Sequence, residues 1–319
     1  MIYAFNGDAD GLCALQQLRL AMPGDASLVT GVKREICLLD RISAGQGDRV
    51  IVLDVSFDVN RASVSRLLAN GANILYFDHH YSGEIPSNSH LVTYIDTSPN
   101  ICTSIIVDRY LQGKYTEWAI TGAFGDGMSA VAQALSLKCG ISEERSKQLR
   151  TLGECLNYNA YGETEADLLI SPARLAQLLM PHESPFGFIS ESIEYGLLKE
   201  GYNRDLENVR GMQPIADDGT TAVFVLPNEA WSRRVNGVFG NLLTEEFPNR
   251  AHAILFRNNL GGFTVSVRAA LSNKQGADTF CRSFPTGGGR QGAAGINQLP
   301  IERLDEFVAR FQSEFGKHR

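Results

Sequence analysis

The chain has 319 residues, enough for two domains that each bury a core of their own. Its net charge of -7 argues against sequence-independent binding to long nucleic acid, which needs a broad basic face, but not against a small anionic ligand held in one pocket. No apolar run approaches the roughly 20 residues that a membrane span requires, so the sequence does not predict a membrane protein.

Six cysteines are scattered singly along the chain, without the close pairs of a zinc site or the density of a disulfide-rich secreted protein. This pattern indicates reduced thiols and a cytoplasmic location. The sequence leaves the oligomeric state open, a homodimer included.

Short apolar runs and helical patterns alternate through the first half of the chain. The predicted strands span residues 2–5, 50–53, 74–77 and 92–95. The predicted helices span residues 12–21, 59–68, 104–111, 117–123 and 128–138. Because such alternation is typical of parallel sheets covered by helices on both faces, we predict an α/β fold for a first domain of residues 1–200.

A polar, turn-rich stretch over residues 201–220 predicts a linker to a second, smaller αβ domain of residues 221–319. The predicted strands of this domain are 222–226, 252–256 and 263–268, and its helices are 231–245 and 301–315. The sequence therefore predicts a parallel-sheet N-terminal domain followed by a smaller αβ C-terminal domain.

Potential metal ligands follow three predicted strands of the first domain. The first strand runs into Asn6-Gly7-Asp8-Ala9-Asp10, the second ends at Asp54, and the third ends at Asp78-His79-His80. The carboxyl ends of parallel strands share one edge of a sheet, where α/β folds bind ligands, so these side chains should meet. Carboxylates gathered there would repel one another without a cation, and carboxylates with imidazoles favour Mn²⁺ or Mg²⁺. A carboxylate that bridges two ions would match a two-metal hydrolytic site.

Each of these residues also has an ordinary structural interpretation. A single aspartate after a strand is usually a helix cap or a turn residue, and a His-His pair often fills a loop. Three such positions on one predicted edge favour the metal site. Asp126 lies in a glycine-rich break between two helical patterns, and its chemistry leaves the ligand and the turn residue equally open.

The most distinctive stretch has three consecutive glycines before an arginine, and consists of Gly287, Gly288, Gly289 and Arg290. Glycines let backbone amides approach an anion, and the forked guanidinium of arginine suits phosphate. The alternative is a flexible hairpin tip. Arg268, at the end of a predicted strand, is either a second substrate contact or a solvated strand-end residue.

Together these motifs resemble the DHH phosphoesterases that carry a DHH-associated C-terminal domain. That superfamily includes nanoRNases, phosphoadenosine-phosphate phosphatases, cyclic dinucleotide phosphodiesterases and the RecJ exonuclease. The resemblance covers nearly the whole chain in order, through Asp8-Ala9-Asp10, Asp54-Val55-Ser56, Asp78-His79-His80, Asp126, Val265-Ser266-Val267-Arg268 and the glycine-rich segment. It implies that residues 1–200 are the catalytic domain and residues 221–319 the substrate-binding domain.

The resemblance also implies a role for each candidate residue. One ion would be held by Asp10, Asp54, His79 and Asp126, with the catalytic Asp54 bridging to a second ion that is held also by Asp8. The catalytic His80 would face the scissile phosphate. Arg268 and the glycine segment would grip the phosphate or base of the substrate as the C-terminal domain closes over the cleft. Both ions are expected to be Mn²⁺, with Mg²⁺ as the alternative.

Two departures from the family pattern bear on the substrate. Asn6 stands where most small-nucleotide members have histidine, so it is a weak metal ligand at best. Arg290 replaces the usual histidine of the glycine motif, and arginine favours an anionic group such as a terminal 5′-phosphate. We therefore predict a phosphodiesterase that cuts short linear 5′-phosphorylated dinucleotides such as pGpG to mononucleotides. An exopolyphosphatase, a phosphoadenosine-phosphate phosphatase and a non-catalytic nucleotide sensor are the alternatives.

Overall fold

The computed structural model describes residues 1–316, so the last three residues of the predicted second domain lie outside it. Contacts divide the chain into two units, Met1–Gly201 and Tyr202–Arg319. Across residues 1–316, no helix combines the length and the apolar character that crossing a membrane would require.

The first unit contains a parallel sheet. Its strands are β1 Ile2–Phe5, β2 Ser27–Val29, β3 Arg49–Leu53, β4 Asn73–Asp78 and β5 Leu91–Ile95. They lie in the order β2-β1-β3-β4-β5, and every neighbouring pair is parallel. The α/β class predicted from the alternating pattern is therefore confirmed. β2 was not predicted, because three residues are too few to produce a recognisable period.

Nine α-helices accompany this sheet within residues 1–210. They are α1 Ala9–Ala21, α2 Phe57–Ala69, α3 Thr103–Tyr110, α4 Thr116–Gly125, α5 Ser129–Lys138, α6 Glu143–Asn159, α7 Pro172–Leu179, α8 Pro185–Glu191 and α9 Ile193–Arg210. Oxygen-bearing side chains start several of them, since Asp8 caps α1, Ser56 caps α2 and Ser142 caps α6. The loops that leave β1 and β3 thus turn directly into helices.

The second unit contains a mixed sheet. Its strands are β6 Ala216–Asp217, β7 Thr221–Leu226, β8 Ala251–Arg257, β9 Gly262–Arg268, β10 Gly287–Arg290 and β11 Ala293–Pro300, and its helices are α10 Ala230–Glu246, α11 Ala277–Arg282 and α12 Leu304–Phe315. The order is β10-β11-β9-β8-β7-β6, in which β7 and β8 are parallel and the other pairs are antiparallel. One apolar cluster packs α11 and α12 on one face of the sheet, and another packs α10 on the opposite face.

Residues 201–220 do not form the irregular linker that their polar composition predicts. α9 continues to Arg210, and β6 pairs with β7. A single interior glycine such as Gly201 costs a helix only about 1 kcal/mol. Leu206 and Val209 are buried in the same apolar cluster as α10, and this packing stabilises the end of α9.

His252 makes the stability of the second unit depend on pH. Burial, with the nearby charge of Arg250, lowers the pKa of this β8 residue to about 4, whereas the unfolded chain takes up the proton near pH 6.5. Stability should therefore fall as the pH decreases from about 6.5 to 4, by up to ~3 kcal/mol. In His252→Gln, the unfolding free energy should not show this decrease between pH 6.5 and 4. His90→Gln changes an exposed histidine and should show the same decrease as the wild type. If the unfolding free energy depended on pH in the same way in the wild type and in His252→Gln, this assignment would be wrong.

Candidate metal centre

The carboxyl ends of the parallel strands bring the predicted ligands to one edge of the first sheet. Asp8 follows β1, Asp54 follows β3, and His79 follows β4. Because β1, β3 and β4 are adjacent in the sheet, the loops that carry these residues are neighbours.

Asp54, His79 and His80 form a compact group of potential metal ligands. One ligand atom of each lies within 4.8 Å of the others. His79 Nε2 is 3.4 Å from Asp54 Oδ1, and His80 Nδ1 is 3.9 Å from the same oxygen. Asp54 is buried, whereas the His80 side chain is 39% exposed, so His80 is the member that solvent reaches.

Asp54 has an unusual backbone conformation that places its carboxylate in this group. Its φ of 57° lies in the left-handed region, which costs most residues with a Cβ about 1–3 kcal/mol. The backbone N–H of Asp54 donates to the carbonyl of Phe77 at 3.0 Å, and the carboxylate accepts a hydrogen bond from Thr103 Oγ1 at 3.2 Å. Strain of this kind is typical of functional positions.

Both histidines are oriented by hydrogen bonds on their Nδ1 atoms. His79 Nδ1 lies 3.0 Å from the carbonyl oxygen of Ile101, which can only accept, so this nitrogen carries the proton and Nε2 points toward Asp54. His80 Nδ1 lies 2.7 Å from Asp78 Oδ1, which leaves Nε2 of His80 to meet a ligand. Asp78 is therefore a positioning residue, a role that sequence analysis did not assign.

Asp10 joins the centre from the first turn of α1. Its two oxygens accept the backbone N–H groups of Thr103 and Ser104 at 2.7 Å each, at the start of α3. Each oxygen keeps a further lone pair that could meet a cation. Asp126 ends α4 and lies within electrostatic reach of Asp10 and His79.

Asp8 has a partner that sequence analysis missed, the ammonium of Lys33. Asp8 Oδ1 accepts the N–H groups of Asp10 and Gly11 at 3.1 Å each, and Oδ2 forms an ion pair with Lys33 Nζ. Burial opposes ionisation of Asp8, but the Lys33 charge outweighs it and lowers the pKa of Asp8 to about 2. Lys33 follows β2, the strand whose brevity left no pattern in the sequence.

Burial and neighbouring carboxylates disfavour the ionised forms of Asp54 and Asp126. Burial, with the nearby carboxylates of Asp8 and Asp10, raises the pKa of Asp54 well above its usual range. Burial also raises the pKa of Asp126 to about 6. For His79, burial opposes protonation, but the hydrogen bond to Asp54 and the charge of Asp10 outweigh it and raise the pKa to about 10. A divalent cation would relieve this repulsion and displace the proton on His79.

This donor set fits one divalent ion. A carboxylate oxygen of Asp54 and the Nε2 atom of His79 converge, with Asp10 and Asp126 close by. Oxygen and imidazole donors without thiolate suit Mn²⁺ or Mg²⁺. The carbonyl that fixes His79 Nδ1 is the type of outer partner that metal-binding histidines commonly have.

The side chains do not fit a second ion where the sequence predicted one. Asp8 is bound to Lys33, and the Asn6 amide is engaged at both ends. Asn6 Oδ1 accepts the Asp8 N–H at 3.2 Å, and Asn6 Nδ2 donates to the carbonyl oxygen of Lys33 at 3.2 Å.

The glycine-rich segment forms one strand of a β-hairpin. Gly287, Gly288, Gly289 and Arg290 make up β10, which pairs with β11 through a two-residue turn. A Cβ atom at Gly287 would lie 1.7 Å from the carbonyl oxygen of Cys281, so this position requires glycine. The substrate-binding role of the segment stays a prediction.

Arg290 and Arg268 lie in one cross-strand row of the second sheet. Arg290 pairs with Ala293 of β11, and Ala293 pairs with Arg268 of β9. Directly paired residues project from the same face, and two strand spacings separate the arginine backbones by roughly 10 Å. The Arg268 guanidinium donates to Ser266 Oγ at 2.9 Å and to Asn241 Oδ1 at 3.2 Å. The fold thus brings both predicted substrate contacts to one face, with a small alanine between them.

No protein-family profile and no curated protein sequence matches the chain. Solved structures do match it. Exonuclease RecJ bound to manganese has 17% identity and a TM-score of 0.64, with all of this chain and 90% of that chain covered. RecJ from Thermus thermophilus in complex with Mn²⁺ has 17% identity and a TM-score of 0.61, with 100% of this chain and 52% of that chain covered.

A pGpG-specific phosphodiesterase, PggH from Vibrio cholerae, has 14% identity and a TM-score of 0.57, with 99% of this chain and 98% of that chain covered. At these identities the likeness establishes architecture, and it extends over both units. The chain has the two-unit fold of these RecJ and PggH structures.

Proposed function

We propose that the protein is a metal-dependent phosphodiesterase that hydrolyses short linear 5′-phosphorylated dinucleotides, such as pGpG, to mononucleotides. The observation that carries the proposal is the group of Asp54, His79 and His80 at the carboxyl edge of the sheet. Its acidic surroundings call for a divalent ion, and the related folds include proteins described as an exonuclease and a phosphodiesterase. We take Mn²⁺ as the cation, with Mg²⁺ as the alternative.

Each side chain of the centre has a distinct role in the proposed reaction. Asp54 and His79 would hold the ion, and a divalent ion bound there supplies positive charge that polarises the phosphate ester. Asp78 fixes His80 through Nδ1, so His80 Nε2 can meet a phosphate oxygen at the exposed side of the group. Thr103 Oγ1 holds Asp54 in place from a third element.

A short substrate is supported by the charge of the chain. The net charge of -7 disfavours a long nucleic acid. The six cysteines are all free, which supports a reducing, cytoplasmic setting.

Side-by-side hydrolysis tests the proposal. Purified protein with Mn²⁺ should cleave pGpG faster than linear polyphosphate or phosphoadenosine phosphate. Faster cleavage of either competitor would show that this competitor, and not the dinucleotide, is the preferred substrate. Nucleotide binding without turnover of any substrate would identify a sensor instead.

Arg290 provides a prediction about the 5′-phosphate. If its guanidinium pairs with that phosphate, Arg290→Ala removes a charge-assisted hydrogen bond worth roughly 1.5 to 3 kcal/mol. The kcat/KM for pGpG should then fall about ten- to a hundredfold, while that for unphosphorylated GpG should change little. Arg257→Ala, at an exposed end of β8, is the matched control and should affect neither substrate. Equal losses on both dinucleotides would show that Arg290 does not read the 5′-phosphate.

A further inference from the structure

Lys33 reaches the metal centre from a loop at the edge of the first sheet. β2 is the neighbour of β1, and the chain after it runs along the same carboxyl edge as the loops that carry Asp8 and Asp54. The Lys33 N–H donates to the carbonyl oxygen of Ala160 at 2.9 Å, and the Lys33 carbonyl accepts from Asn6 Nδ2 at 3.2 Å. The backbone of Lys33 is therefore fixed on both sides.

Two glycines let this loop approach the loop after β1 closely. A Cβ atom at Gly7 would lie 2.1 Å from the carbonyl oxygen of Gly31, a contact that no side chain permits. The loop that carries Lys33 therefore packs tightly against the loop that carries Asp8.

The ammonium of Lys33 contacts Asp8, which sequence analysis assigned to a second ion. It pairs with Asp8 Oδ2 and donates to Asn157 Oδ1 at 3.1 Å, and the ring centroid of Tyr161 is 5.6 Å away. Asp126 lies within its electrostatic reach. The Lys33 side chain is 28% exposed and that of Asp8 is 4% exposed, so the pair is largely shielded but the lysine still meets solvent.

The side chains of Asp8 and Asn6, which were predicted to serve the second ion, already have partners within the protein. One oxygen of Asp8 caps α1, and its other oxygen holds Lys33. The Asn6 amide links the Asp8 N–H to the Lys33 carbonyl, so neither of its ends faces a free position. A cation that entered here would have to displace an ammonium that is already bound to a buried carboxylate.

We propose that the Lys33 ammonium takes the place of a second metal ion, so that the centre binds one divalent cation and Lys33 supplies the other positive charge to the substrate phosphate. This inference rests on the proposed phosphoesterase function. It makes Asn6 a positioning residue for the Lys33 loop, and it makes Asp8 the counter-ion of Lys33. A fixed ammonium is a point charge that binds phosphate without any requirement for free metal.

The number of Mn²⁺ ions bound per chain tests the proposal without any substrate. Isothermal titration, with elemental analysis after gel filtration, should find one ion in the wild-type protein. Lys33→Ala frees Asp8 and should bind two, the second more weakly. Lys138→Ala, at an exposed lysine in the last turn of α5, should bind one.

The outcomes separate this inference from the proposed function. Two ions in the wild type, or one in a folded Lys33→Ala, would overturn the role of Lys33 while leaving a phosphoesterase in place. No bound ion in the wild type would overturn the metal-dependent function itself.

Asp8→Asn gives a second test if Lys33→Ala does not fold. It should keep one ion with an affinity within about tenfold of wild type, because Asp8 does not bind the metal. A loss of Mn²⁺ binding in Asp8→Asn would contradict the proposal.

Discussion

Asp54→Asn should reduce kcat for dinucleotide hydrolysis by at least about a thousandfold, equivalent to ~4 kcal/mol in the activation barrier. The carboxylate lies 3.4 Å from His79 Nε2 and is the member of the ligand group that both histidines approach. An amide of the same shape keeps the hydrogen bond with Thr103 but removes the charge that would hold the ion. Asparagine also tolerates the left-handed backbone at this position, so the variant should fold.

Steady-state kinetics at saturating Mn²⁺ measures the effect. Asp58→Asn is the matched control, because Asp58 is exposed in the first turn of α2 and pairs only at the surface with Arg61. It should keep nearly full activity. If Asp54→Asn retained more than about a tenth of wild-type kcat, less than ~1.4 kcal/mol in the barrier, Asp54 could not be the central ligand.

Asp205→Ala should lower the stability of the second unit by about 3–5 kcal/mol, the usual cost of removing one partner from a buried ion pair. Asp205 Oδ2 accepts from Arg234 Nε at 2.9 Å and from Arg234 Nη2 at 2.8 Å, and the side chains are 1% and 7% exposed. Without the carboxylate, the buried guanidinium loses both of these hydrogen bonds. Thermal unfolding should show a decrease in Tm of about 10 °C or more.

Two further variants control for this effect. Glu306→Ala removes surface ion pairs with Arg303 and Arg310 and should leave the Tm nearly unchanged. The double variant Asp205→Leu with Arg234→Met replaces both charges by apolar groups and should recover most of the lost stability. A Tm decrease as large in Glu306→Ala as in Asp205→Ala would rule out burial as the cause.

Much of the fold could be predicted because the strands of the first unit are short apolar runs bounded by turn residues. β1, β3, β4 and β5 have this pattern, whereas β2 has three residues and no period. The polar, glycine-containing composition of residues 201–220 predicted a linker. The structure has a helix in the first half of this stretch, because the packing of Leu206 and Val209 stabilises it.

The meeting of the acidic and histidine side chains could be predicted from their positions at strand ends, because parallel topology alone brings such positions together. Lys33 could not. It is one of 29 basic residues, most lysines are solvent-exposed, and its approach to Asp8 depends on the close contact of Gly7 with Gly31. The pairing of Arg290 and Arg268 across Ala293 depends on long-range strand register, which a single sequence does not display.

The glycine strand β10 also affects how the second unit meets other molecules. It forms one outer edge of the six-stranded sheet, and the two-residue β6 forms the other. Edge strands carry unpaired amides and carbonyls that can recruit a strand from another chain. Three glycines have low strand propensity, and the charge of Arg290 at the end of β10 disfavours stacking against a second copy. The segment therefore also protects the open sheet from edge-to-edge aggregation, whatever ligand it contacts.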